Sequence, residues 1–159
     1  MIKILLRIEE IQTPLVDILL AKVIDLGMSD TNTKNNGSLI KSIMSQFRWL
    51  DKIADSINLS KKLIEVLGAV EGDLKKELIS YIPDIVDDLS HDIIVENLQE
   101  MMMNDKDLSV PVIEALSGLA LKKELLDKVR EAALNKLVSA QLTDIPVILK
   151  FILNSATGE

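Results

Sequence analysis

The 159-residue chain contains no cysteine. That absence removes disulfides, thiolate zinc sites and thiol nucleophiles together, and it fits a reducing compartment. Aromatic residues make up only 3% of the sequence, so a core must be built from Leu, Ile and Val with Met filling gaps, which favours helices stacked on helices. The six glycines stand singly, and no glycine-rich phosphate loop can be drawn through them. Long apolar runs are missing too: residues 145–153 are broken by Lys150 and fall far short of the roughly 20 residues a membrane span needs. At the amino end Arg7, Glu9 and Glu10 interrupt the apolar stretch too early for a signal peptide. Positive charge is in deficit, with 18 Lys plus Arg against 25 Asp plus Glu and a net charge of -7. This is the wrong sign for a module that binds nucleic acid by neutralising phosphates, so direct DNA binding by this segment is disfavoured.

What remains is helical spacing almost throughout, without strand-like alternation. Leu121, Leu125, Leu126, Val129, Ala133 and Leu137 form one apolar stripe, with Lys122, Asp127, Arg130, Glu131 and Lys136 assigned to the solvent side. Leu39, Ile43, Phe47, Leu50, Ile53 and Ile57 form another, which predicts a single long helix. Residues 59–70, 73–88 and 92–103 read as further helices, punctuated by Asn58, Gly72 and Ser90. Residues 29–38, SDTNTKNNGS, hold no apolar side chain and read as a surface loop.

The four prolines, Pro14, Pro83, Pro111 and Pro146, each precede an apolar run. Proline suits the first turn of a helix, where the amide it lacks would be unpaired anyway. Asp107 or Ser109 is positioned to cap the third of these helices and Thr143 the fourth; Pro83 has the alternative of lying within a helix and kinking it. The proline spacings of 69, 28 and 35 residues suggest a unit of about 28 to 35 residues, the length of a helix pair in HEAT-like or armadillo-like arrays. The expected fold is therefore all-α, an α-solenoid of antiparallel helix pairs without β-sheet, with residues 1–159 forming one segment. Apolar residues at both ends, where polar capping repeats would belong, point to a section of a longer array.

Candidate chemistry is sparse. His91 is the only histidine, and with no nucleophile beside it the sequence favours an exposed first-turn residue over a general base. Glu9-Glu10 and Asp87-Asp88 are adjacent carboxylates that point in different directions on a helix and read as solvated faces. Asn104-Asp105-Lys106-Asp107 is too lysine-interrupted for a calcium loop and reads as an interhelix turn. Met101-Met102-Met103 reads as a buried helix end before an adaptable binding surface. The doublets Lys61-Lys62, Lys75-Lys76 and Lys122-Lys123 read as solvated faces before phosphate contacts. No catalytic, cofactor-binding or metal-binding residue is assigned, and no cofactor is called for; the residues alone leave a generic HEAT-like adaptor, for instance in transport or trafficking, as an alternative role.

From Leu39 to Ala156 the order of motifs resembles the Fanconi anaemia D-two family. The resembling stretches are Gln46-Phe47-Arg48-Trp49-Leu50-Asp51, Leu78-Ile79-Ser80-Tyr81-Ile82-Pro83-Asp84-Ile85, Leu108-Ser109-Val110-Pro111-Val112-Ile113-Glu114-Ala115-Leu116, Lys128-Val129-Arg130, and Asp144-Ile145-Pro146-Val147-Ile148-Leu149-Lys150-Phe151-Ile152-Leu153-Asn154-Ser155. Residues 2–26, with Pro14, resemble the helices that precede these in the family. The resemblance implies a nuclear, non-enzymatic scaffold in DNA interstrand crosslink repair that pairs with its paralogue, the Fanconi anaemia I protein, and closes around double-stranded DNA. The family's ubiquitinated lysine lies beyond the region matched, so no lysine here inherits that role.

Overall fold

A computed structural model describes residues 1–28, 33–50 and 52–157, with the side chains of residues 33–35 left out. Every regular element among them is helical. In chain order they are α1 (Ile2–Leu5), α2 (Glu9–Met28), α3 (Thr33–Phe47), α4 (Ser56–Ala69), α5 (Gly72–Ile85), α6 (His91–Asn104), α7 (Ser109–Gly118), α8 (Lys123–Ser139) and α9 (Ile145–Thr157). Short 3-10 turns at Asp88–Ser90 and Lys106–Leu108 lead into α6 and α7. The fold is all-α and of the α-solenoid class, and it divides into two compact units, Met1–Ser90 and His91–Glu159.

In the first unit, α2 pairs with α3, α4 lies on α2, and α5 lies on α3. Gln12, near the start of α2, bonds to the backbone just before α4, while Gly27 near its end faces Val70 just past the end of α4. These two points show that α2 and α4 run in the same direction. The same holds for α3 and α5, where Lys41 meets Glu77 and, two turns on, Arg48 meets Asp84. Like helices therefore stack parallel, with the intervening helix returning between them. The core of the unit is largely aliphatic, with Leu20, Val23, Ile40, Met44, Leu63, Leu67, Leu78, Ile79 and Ile82 almost fully buried along with Phe47.

The second unit repeats the plan. The α6 helix contacts α7 and α8, and α9 contacts α7 and α8. Arg130, in the first half of α8, donates to the Ser155 carbonyl near the end of α9 at 3.2 Å, so that pair is antiparallel. Lys136 near the end of α8 reaches the Met102 carbonyl near the end of α6 across 34 residues of sequence, so α6 and α8 run parallel. Ile94, Leu98, Val112, Ile113, Val129, Ala133 and Ile148, carried on these four helices, are almost fully buried.

Several local expectations are corrected. The loop expected over residues 29–38 is helical from Thr33; residues 29–32 lie outside the described residues. The Asn36 side chain donates to the Leu26 carbonyl at the end of α2, and docking of α3 on α2 offsets the weak helix propensity of Asn and Gly. The long helix expected from Leu39 through Ile57 ends at Phe47, where the Trp49 and Leu50 amides tighten onto the Gln46 and Phe47 carbonyls. The next helix, α4, starts under a cap from Asp55, whose carboxylate accepts from the Asn58 amide at 3.0 Å, leaving Leu39 and Ile57 exposed. The α5 helix stops at Ile85, short of the expected residue 88.

Pro111 and Pro146 sit in the first turns of α7 and α9, as proline chemistry favours. Pro14 does not: Glu9 and Glu10 carry the start of α2 upstream of it, where carboxylates suit the positive end of a helix. Pro83 lies inside α5, near its carboxyl end. Neither expected side-chain cap forms on α7 or α9. The Ser109 hydroxyl donates backwards to the Lys106 carbonyl, and the Thr143 hydroxyl donates to the Asp144 carboxylate.

Candidate interaction surface

Where the titratable residues lie decides which chemistry they could share. His91, the first residue of α6, is only 4% exposed, against the expectation of an exposed first-turn residue. Glu9 and Glu10 are exposed in the first turn of α2. Asp88 opens the 3-10 turn that follows α5, and Asp87 immediately precedes it. Asp105 accepts from the Asp107 amide and forms the interhelix turn expected there. Of the methionine run only Met102 is buried, while Met103 is exposed. Lys62 pairs with Glu65 and Lys76 with Asp73 on their own helices, and Lys122 and Lys123 open α8 in solvent. Among the described residues no three carboxylates, imidazoles or thiols stand close enough to hold a metal ion.

Three of the buried polar side chains, Gln12, Ser90 and Lys136, tie neighbouring elements together. Gln12, in the first unit, is 3% exposed. Its Nε2 donates both protons, to the Leu6 and Lys52 carbonyls at 2.8 Å each, and its Oε1 accepts from the Ala54 amide at 2.6 Å. One side chain thus ties α2 to the turn after α1 and to the link into α4. Ser90 donates to the Ser56 carbonyl at 2.9 Å, joining the 3-10 turn to the start of α4. Lys136, in the second unit, is 5% exposed although the sequence assigns it to the solvent side. Its ammonium donates at 2.7 Å to the Met102 carbonyl, one of the last-turn carbonyls of α6 that has no partner within the helix.

The exposed polar groups of the first unit form a ladder from repeat to repeat. Lys52 meets Glu9 at 2.7 Å, Lys41 meets Glu77 at 3.0 Å and Arg48 meets Asp84 at 2.6 Å. Arg48 also lies over the Tyr81 ring and Lys3 over the half-exposed ring of Trp49. Hydrogen bonds from Lys52 and the attraction of its charge hold the Glu9 carboxyl below its ordinary pKa, and Lys52 is raised in return. Lys41 is raised mainly by its hydrogen bond with Glu77.

Among the described residues, a cleft of about 380 Å³ lies beside Arg48 and Asp84, and two others are open to a ligand or partner. One of about 670 Å³ lies in the first unit between the end of α2 and the starts of α3 and α5, with Leu26, Asn36, Lys41, Asp73 and Glu77 in its walls. The other, about 330 Å³, runs between α7 and α9 and is edged by Glu114, Lys150 and Asn154. Exposed apolar side chains add Ile4, Ile18 and Trp49 in the first unit and Val138, Leu142 and Leu153 in the second.

Stacked helix pairs tied by buried backbone-directed side chains, with surfaces suited to contact, define a helical-repeat protein. The chain belongs to the Fanconi anaemia D2 family: the profile described as "Fanconi anaemia protein FancD2 nuclease" matches residues 1–159. The chain is similar to the Fanconi anemia group D2 protein homolog of Rattus norvegicus, 32% identical over 157 residues, and to that of Mus musculus, 30% identical over the same length. It is 34% identical over 155 residues to the Fanconi anemia group D2 protein of Gallus gallus. Each alignment covers 98–99% of this chain and 11% of the relative, so the chain spans about a tenth of the length of these proteins.

Proposed function

We propose that this chain is a non-catalytic scaffold segment that acts in DNA interstrand crosslink repair, in the nucleus, by pairing with a Fanconi anaemia I-like paralogue. The observation that carries this reading is the match of all 159 residues to the D2 family. The architecture supports it physically: Gln12, Ser90 and Lys136 are directed at backbone groups of neighbouring elements, and the accessible features are clefts and apolar side chains suited to protein contact. The net charge of -7 supports a role in packing and partner contact over phosphate neutralisation.

The test is genetic. Deleting the coding segment in its host should sensitise cells to an interstrand crosslinking agent, and restoring it should reverse the effect. Unchanged survival under crosslinker, together with defective cargo transport, would move the protein to the class of trafficking adaptors.

The word nuclease in the family description supports a second reading. Phosphodiester cleavage of that kind takes converging carboxylates around divalent metal ions. The purified chain, incubated with magnesium or manganese and end-labelled single-stranded, duplex and branched DNA, is expected to leave every substrate intact. Cleavage that co-elutes with the chain and disappears with chelator would establish the second reading.

A further inference from the structure

No further inference is drawn: the strongest candidate, the exposed apolar side chains Leu134 and Val138 of α8 and Leu149 and Leu153 of α9, is an unpartnered helix surface, and nothing in the structure shows what covers it.

Discussion

Gln12 illustrates how a single side chain can specify the join between repeats. Both of its amide protons and its carbonyl oxygen are used on backbone groups, in a site where an unmade bond costs more than a made bond gains. Replacing Gln12 with Leu should therefore lower stability by about 1–3 kcal/mol in urea unfolding. Gln12→Glu separates shape from chemistry, because a carboxylate keeps the acceptor for Ala54 and loses both donors. It should be at least as damaging as Leu, and wild-type stability in Gln12→Glu would refute the clamp. Lys136→Ala should lower the stability of the second unit by a similar amount, about 1–3 kcal/mol, by leaving the Met102 carbonyl unpaired. Neither role was legible in the sequence. A glutamine amid isoleucines and a lysine in a charged helix both look solvated, and apart from Leu6 their partners lie 34 to 42 residues away. The burial of His91 also escaped, because Ser90 and Asp92 signal a helix start, and a helix start in sequence does not say which of its residues is covered.

Among the helices, two glycines make opposite predictions. A Cβ on Gly27 would stand 2.7 Å from Val70 Cγ1, and the two helices would have to separate. Gly27→Ala should destabilise by about 1–3 kcal/mol, as overpacking does, and Val70→Ala in the same chain should recover part of that loss. Gly68 lies within α4, and a methyl group there would meet nothing within 4 Å, so Gly68→Ala should stabilise by about 0.5–1 kcal/mol through the unfolded chain and helix propensity. Thermal melts of the two variants moving in the same direction would contradict the packing of α2 on α4.

The Glu9–Lys52 pair makes a pH prediction. Glu9 is lowered, so its contribution is complete above the ordinary carboxylate pKa and is lost as pH falls through the lowered value. Lys52 is raised, so its contribution is complete below the ordinary lysine pKa and is lost as pH rises through the raised value. Glu9→Gln should change neutral-pH stability little, because the pair is exposed, and should make melts between about pH 3 and 7 less steep in pH than wild type.

Most helices were legible because their apolar stripes dictate a buried side. Their boundaries at Thr33, Phe47 and Ile85 were not: Asn36 reaches back to the end of α2, the Trp49 and Leu50 amides tighten onto the Gln46 and Phe47 carbonyls, and the backbone turns extended at Val86.

At the scale of the whole chain, the repeat is visible in the sequence as proline spacing, and it is approximate because only Pro111 and Pro146 mark helix starts. The physical repeat is better read from the ties between like helices, such as the 34 residues from Met102 to Lys136 and the 40 from Gln12 to Lys52. Within each unit the ties serve stacking, and the proposed function draws on the surfaces they leave open. The candidate surface was less legible than the fold, because exposed Trp49, Val138 and Leu153 look in sequence like members of a buried stripe. The most direct measurement is sedimentation velocity on the purified chain mixed with the purified Fanconi anaemia I-like paralogue of the same organism. The account predicts a single faster species containing both proteins. Two boundaries sedimenting independently across the concentration range would contradict it.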